Sequence, residues 1–590
     1  MLLPLWAADY FVSPSGNDAN DGLSEDSPWA TLQKVNRTQF EPGDRVLFQR
    51  DGVWRVPAHS FVGNAVLHPS SGNAEMPVTY SAYGEGKKPL ILGSVSASDE
   101  RDWLEVSPNI WGTRPTVTTF GDVIKCELSD WGFHREAGAK SNLKVETREN
   151  DPPVLTIITE KAGSAPNHIQ LWGHGVKPEE LPRTFTFKFR ARASIPFELQ
   201  EVRILQSGFP YHSKTAVVSH AASLTNEWQE FVTVMRKNDV EGERFSWHLN
   251  LGQMPSECEL QIQPIEVSEV EINDSLSLLV DVGNIIFDHG SFKKFHRCGI
   301  KKWSLDDVKK PGDYFYDASS RRVFLCWPEN PAKTCQSIEL AMKGHCVNHG
   351  GKHDVIFDGL AFAYSASHGF GGGNCERITI RNCDIFYVGG AHQFTTENGI
   401  PVRFGNGIEF WCSARDCLVE KNRIWEIYDA ALTNQGKGTE ENASNEIGIT
   451  YRENEIWNSE YSFEYWNSMG ETRDILFEKN ICRDAGFGWA HGQRPDPNGA
   501  HLMFYRNRDE TSNFVIRENR FENSTEVCLR MDNDWREALT LDKNTYSQIP
   551  GKNLIRFCVH QYFDAASFTK YQKELGMDEG SACVKSEENP

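Results

Sequence analysis

An asparagine returns at the same place in a short strand-like pattern six times in the second half of the chain, and this repeat limits the possible fold more than any other feature. The segments are ERITIRNCDI (376–385), RDCLVEKNRI (415–424), GITYRENEI (448–456), RDILFEKNI (473–481), NFVIRENRF (513–521) and EALTLDKNT (537–545). Each alternates apolar and polar residues and then reaches Asn382, Asn422, Asn454, Asn480, Asn519 or Asn544. The pattern describes a stack of parallel strands whose corner repeats on every rung. Asn tolerates the left-handed conformation of such a corner, and its amide can bond to the matching amides above and below. Spacings of 25, 26, 32, 39 and 40 residues fit one rung plus loops of varying length. Leucines at fixed spacing and intervening helices, the marks of a leucine-rich horseshoe, are lacking. The expected fold is all-β, a parallel β-helix.

The repeat is interrupted. Between residues 136 and 272 regular alternation takes over, as in TFTFKFRARA (184–193), WQEFVTVMRK (228–237), RFSWHLNLG (244–252) and CELQIQPIEVSEVEI (258–272). Short alternating strands with polar turns indicate an antiparallel β-sandwich. The expected organisation is therefore a signal-peptide remnant (1–8), an N-terminal part of the β-helix (9–135), an inserted sandwich (136–272), the main β-helix (273–565) and a C-terminal tail (566–590).

The opening YFVSPSGNDANDGLSEDSPWATLQKV, followed by PGDRVLFQRDGVWR, resembles the N-terminal portion of bacterial pectate-lyase-like β-helix enzymes. The matching positions are Gly16, Asp18, Gly22, Pro28, Trp29, Ala30 and Thr31. PGDYFYDASSRRVFLCWPEN (311–330) is similar to the stretch before the main coils in β-helix glycosidase groups with α-L-fucosidase, xylanase and β-xylosidase members. The order FTFKFRA, NEWQEFVTV, LQIQPIEVSEVE looks like a jelly-roll carbohydrate-binding module. The resemblance covers about two thirds of the chain. It implies a right-handed β-helix that acts on carbohydrate, with a sandwich that either binds sugar or is architectural. Trp172, Phe209, Tyr211 and Trp247 are candidates for a sugar platform, against the plainer reading that Trp228 and Trp247 fill the sandwich core.

Composition narrows the partners. A formal net charge of −21 repels a phosphate backbone, so nucleic acid is not an expected partner. The 17 Trp and 34 Phe offer flat faces for sugar rings as well as core filling. No stretch of 18 or more apolar residues exists to span a membrane. MLLPLWAAD reads as the tail of a secretory h-region, or else as a plain first strand, and a secreted or periplasmic location is expected. The fourteen Cys contain no C-x-x-C, which argues against a zinc ribbon or thioredoxin-type site; bridges after export and buried thiols both remain open. The oligomeric state is not legible.

Two segments, GIEFW (407–411) and SFEYW (462–466), match closely, with AALTN (430–434) between them and GAHLM (499–503) after. In that register Ile408, Ala431, Phe463 and Ala500 form an apolar column, and Glu409, Leu432, Glu464 and His501 face the other way. Strands stack ~4.8 Å apart, so the two glutamates lie about two rungs apart, at the upper edge of the roughly 6.5–9.5 Å that inverting glycosidases use. Asp429 lies about one rung from each and makes a retaining pair possible. Crowded carboxylates raise one another's pKa and supply a protonated acid. The plain alternative is solvated surface glutamates; Trp411 and Trp466 in one column, with Tyr465 alongside, speak for a sugar site. Asn434, Gln435, His491 and His501 are candidate grips for hydroxyls. Arg530 and Asp532, near Asn533 and Asp534, are candidates for a distal sugar. Insertions at 391–405, 435–443 and 491–498 can wall the cleft into a pocket suited to exo action. His491, Asp496 and His501 form a conceivable metal set, though solvated loop residues are the simpler reading.

Three functions follow. The first is a glycoside hydrolase cleaving a plant or algal polysaccharide or oligosaccharide with Glu409, Asp429 and Glu464, without a cofactor. The second is a lyase or epimerase on a uronate polymer, which needs Ca²⁺ or another cation and a basic side chain; the candidate face has few Lys or Arg, Arg530 being the main one. The third is a non-catalytic glycan-binding protein.

Overall fold

Side chains alternate across a strand, so the short apolar–polar runs of this chain can bury one edge only by stacking on further strands. The computed structural model shows how they do so. It describes residues 7–584 apart from 56–64, 115–117, 125–128, 149–150, 177–183, 200–201, 207–214, 220–222, 238–244, 273–275, 277, 293–295, 508–509 and 559. The chain forms two compact units, one of Met1–Thr113, Val280–Tyr316 and Val323–Pro590, the other of Arg114–Leu279 with Asp317–Arg322.

In the first unit the chain passes repeatedly through three sheets of twelve, ten and ten strands. One circuit is Leu418–Glu420, Arg423–Ile427 and Ala430–Gly436; the next is Thr450–Arg452, Glu455–Trp457 and Tyr461–Asn467. Each strand pairs in parallel with its successor one circuit on: Val419 with Tyr451, Ile424 with Ile456, Leu432 with Phe463. The inward residues form columns, such as Ile424, Ile456, Cys482, Phe521 and Tyr546. All belong to one apolar core that runs from Val12 to Met577.

The asparagines do form a ladder, but with a different membership and a different role from those expected. The left-handed residue at each corner is the one before the Asn: Lys421, Glu453, Lys479, Glu518 and Lys543 have φ of 53–57°. Asn422, Asn454, Asn480, Asn519 and Asn544 are themselves buried. From Asn454 onward the amide oxygen of each accepts from the backbone N–H and side-chain NH₂ of the Asn one circuit earlier, as Asn480 does from Asn454 at 2.9 and 2.9 Å. Asn382 is not a member; it is exposed and left-handed, and Cys383 holds the ladder place, its N–H donating to Asn422 Oδ1 at 2.9 Å. At the far end Asn544 N–H donates to Ser581 Oγ at 2.8 Å, and Asp578 closes the row. Asn480→Ala should therefore strand buried donors on Asn454 and cost about 1–3 kcal/mol for each group left unpaired. The melting temperature is the measurement, and activity per folded molecule should be unchanged.

Ser581 and Asp578 also correct the expected tail at 566–590. Helix Phe568–Leu575 buries Phe568 and Tyr571, and Ala582–Cys583 extends the second sheet beyond Thr545–Ser547. Residues 1–6, the greater part of the expected signal remnant, lie outside the described residues.

The second unit contains a seven-stranded and a four-stranded sheet, paired antiparallel, with residues of both in one core. Its edges lie outside the expected 136–272, because Thr118–Ile124 pairs with Cys258–Ile272 and Ser129–Arg135 with Ile169–Val176. Trp247 is 1% exposed against Phe187 and Trp131, so it packs the core and is not a platform residue. Trp228 is half-buried beneath Arg190 and Arg192. Trp172 is half-buried beside His248, and Phe209 and Tyr211 lie outside the described residues. The thirteen described cysteines are all free thiols.

No helix among the described residues is long and apolar enough to cross a membrane.

Candidate active site

The third sheet carries five consecutive strands that build the site: β1 (Ile408–Trp411), β2 (Ala430–Gly436), β3 (Tyr461–Asn467), β4 (Ala500–Phe504) and β5 (Val527–Met531). Their register sets Glu409 opposite Thr433, Thr433 opposite Glu464, Glu464 opposite Met503 and Met503 opposite Arg530. Glu409 and Glu464 therefore share an outward column at a separation of two strands, roughly 9–10 Å between backbones. Both line a cavity of about 920 Å³ together with Asp429, Trp411, Gln435, Trp466 and Asp532. Trp411 and Trp466 stack across the intervening strand with centroids 6.3 Å apart.

The register differs from the expected one by one residue in β2 and by two in β4. Ala431 and Leu432 both face the core, as do Cys528 and Leu529 on β5, so alternation breaks at the start of these strands. Leu432 is thus core, and Thr433 takes its place between the glutamates. Three candidate sugar-binding residues face inward, His501 and Asn434 through this break and Tyr465 by plain alternation after Glu464. His501 is fully buried, bonded to Ser462 at 2.9 Å, with its ring against Phe521. Asn434 is fully buried and accepts from the Tyr451 hydroxyl at 3.3 Å. Tyr465 packs on Phe504, Phe514 and Trp535, its hydroxyl 2.8 Å from Thr511. His491 is paired with Glu460 at 3.0 Å and does not line the cavity. His491, Asp496 and His501 are therefore not brought together, and among the described residues no group of three or more His, Cys, Asp or Glu is placed to hold a metal ion. Arg530 is spent on Asp532 at 2.9 Å, and it is Asp532 that reaches the cavity holding Glu409.

Each carboxylate has its own surroundings. Glu409 Oε2 accepts from Asn406 Nδ2 at 2.7 Å, and Oε1 lies 3.3 Å from His368 Nε2. Burial pushes the Glu409 carboxyl up to about 7, with the Asn406 hydrogen bond opposing. Glu464 accepts from the Gln435 amide. Burial first, then the negative charges of Asp429 and Glu409, raise its carboxyl well above the ordinary range. Asp429 is raised by burial and by Glu460, while Arg494, 3.1 Å away, opposes. The buried Glu409 and Glu464 and the half-buried Asp429 share one close guanidinium, and burial with mutual repulsion shifts the group toward its acid forms.

Sequence reasoning missed the supporting residues. His368, Arg403, Phe404, Asn406, Tyr428 and Tyr505 also line the cavity. Asn406 stands between Gly405 and Gly407, and the spacing has a steric cause: a Cβ on Gly405 would lie 2.2 Å from Gly389 Cα, and one on Gly407 would lie 2.4 Å from Ala431 O. Only glycine allows the chain to approach this closely and deliver Asn406 beside Glu409. Arg403 and Arg494 come from the insertions, which supply the cations the strands lack. Arg403 donates to Gln493 Oε1 at 3.0 Å, tying the 391–404 hairpin to the 491–498 loop.

No family model matches the chain. A curated lacto-N-biosidase of Bifidobacterium longum subsp. longum is 39% identical over 103 residues, 16% of this chain; the chain covers 6% of that protein's length. Among solved structures, a glycoside hydrolase aligns over 98% of this chain and 96% of its own at 9% identity and a TM-score of 0.38. The GH136 lacto-N-biosidase from Eubacterium ramulus aligns over 98% of this chain and 67% of its own at 12% identity and a TM-score of 0.34. A CBM4 structure aligns over 23% of this chain and 86% of its own at 21% identity and a TM-score of 0.18.

Proposed function

We propose that the chain is an exported glycoside hydrolase acting on an oligosaccharide or polysaccharide. In this reading the first unit is a right-handed parallel β-helix and the second a carbohydrate-binding-module-like jelly roll. The observation that carries it is the placement of Glu409 and Glu464 in one cavity, two strands apart, beside a stacked tryptophan pair. Glu464, kept protonated by burial and by Asp429, is the general acid that protonates the leaving oxygen. Glu409 is the base that activates water from across the sugar ring. Asp429 remains charged against Arg494 and sustains the raised pKa of Glu464. The local match to a lacto-N-biosidase supports an oligosaccharide as substrate. The acidic chain argues against nucleic acid as a partner, and the reaction calls on no cofactor.

The test is reducing-sugar release across a glycan panel that includes lacto-N-type oligosaccharides and plant and algal polysaccharides, with the first-formed anomer followed by NMR. Release with inversion is expected. Retention would point to Asp429 as nucleophile, and an unsaturated-uronate absorbance without sugar release would favour a lyase. Because Glu409 must be ionised to act, kcat/KM should fall as pH drops through about 7. Trp411→Ala should raise KM roughly tenfold, about 1.4 kcal/mol, with little change in kcat, as expected for a stacking contact made equally in ground and transition states.

A further inference from the structure

We infer that His368 is a positioning residue that holds Glu409 as the base of the pair, by donating from Nε2 to one carboxylate oxygen while Asn406 donates to the other. The inference rests on the glycosidase reading and adds the division of labour between the two glutamates.

The proton on His368 is placed by its neighbours. Its Nδ1 accepts the backbone N–H of Asn406 at 2.9 Å. A ring nitrogen that accepts a hydrogen bond carries no proton, so in the neutral ring the proton sits on Nε2. Nε2 lies 3.3 Å from Glu409 Oε1. Neutrality is enforced by burial, which holds the imidazole down to about 3. The ring cannot swing away, because His345 stacks on it with centroids 5.0 Å apart and Phe404 meets it edge-on at 5.2 Å. His345 Nδ1 also accepts the His368 backbone N–H at 3.3 Å. Asn406 is fixed as well: its Oδ1 accepts from Ala430 N at 3.0 Å, which leaves Nδ2 for Glu409 Oε2 at 2.7 Å.

Glu409 thus has the Asn406 N–H on one oxygen and the Nε2 edge of His368 3.3 Å from the other, surroundings that favour the carboxylate over the acid. Glu464 receives the Gln435 amide and faces the like charges of Asp429 and Glu409, and burial with these outweighs Arg494 and favours its acid form. The remaining titratable groups around Glu409 are His345 and His349 behind it, Cys412 just beyond its strand, and Asp429 with Arg494 across the cavity. Both histidines are neutral, held down to about 3 by burial. None of these groups supplies a second donor to Oε1 in place of His368.

Two substitutions separate the donor from the ring. His368→Asn keeps an acceptor for the Asn406 N–H but cannot reach Glu409; His368→Gln places an amide N–H near the position of Nε2. With carboxyl-¹³C-labelled glutamate, the Glu409 resonance is identified by its loss in Glu409→Gln and titrated in each variant without substrate. The Glu409 midpoint is expected to rise by about one unit in His368→Asn and to stay near the wild-type value in His368→Gln. With an active chromogenic aryl glycoside from the panel, the acid limb of kcat/KM should move to higher pH by the same amount. An unmoved midpoint in His368→Asn, or an equal rise in both variants, overturns the inference. An active Glu409→Gln enzyme overturns the glycosidase reading itself, and so the two failures are distinguishable.

Discussion

Replacing Glu464 by Gln is expected to lower turnover roughly 10²–10⁴-fold while leaving the fold intact. Gln has the shape of Glu and can still meet the Gln435 amide, but it has no proton to give. The buried position, 4% exposed, beside Asp429 and Glu409 pushes Glu464 toward its acid form. The loss should depend on the leaving group. An aryl glycoside with an activated phenol needs little protonation and should be cleaved by Glu464→Gln far better than an unactivated sugar. Glu409→Gln should be impaired on both, since the attacking water is the same in each. Equal impairment of Glu464→Gln on the two substrates would remove its role as acid.

The largest expected effect on stability comes from Arg494→Met. Arg494 is buried between the rings of Tyr428 and Tyr461, at 5.2 and 5.5 Å, and donates to Tyr428 O at 3.0 Å and to Asp429 at 3.1 Å. Met preserves much of the volume but removes the buried guanidinium that faces Asp429, Glu460 and Glu464. Removing one partner of a buried ion pair costs about 3–5 kcal/mol. The sign of the pH dependence follows from the carboxyls. The folded pKa values of Asp429 and Glu464 already lie above the unfolded ones, and without Arg494 both rise further. Stability from such groups is present below the unfolded carboxylate pKa and is lost as pH rises through the folded value. The variant should therefore melt far below wild type at pH 7.5 and recover part of the difference at pH 4.5. A deficit that is the same at both pH values would show that Arg494 acts through packing alone.

The sequence disclosed the strand stack because burial forces the same solution on every circuit, and a repeated solution leaves a repeated residue. Asn454, Asn480, Asn519 and Asn544 could be aligned by eye for that reason. Their bonding could not, since the left-handed corner belongs to Lys421, Glu453, Lys479, Glu518 and Lys543, and no side-chain type marks those positions. On the site, GIEFW and SFEYW were legible as partners because both strands share one register. AALTN lies one residue and GAHLM two residues from the expected register, because two consecutive inward residues precede Thr433 and Met503 and a strict period of two does not anticipate them. Asn434 and His501 face inward as a consequence, while Tyr465 does so by ordinary alternation after Glu464. His368 and Arg403 are invisible for another reason: His368 reaches Glu409 from an earlier circuit and Arg403 reaches the cavity from an insertion, so no local pattern reports either, whereas Asn406 meets Glu409 from only three residues away.

The claim on which the account rests is that the buried carboxylates of this one cavity cleave a glycosidic bond. It is tested most directly by the Glu409→Gln/Glu464→Gln double variant, assayed on whichever glycan the wild-type protein degrades. Sugar release at the uncatalysed background, with the circular dichroism spectrum and melting temperature retained, is the result predicted. Turnover within tenfold of wild type by the folded double variant would contradict it.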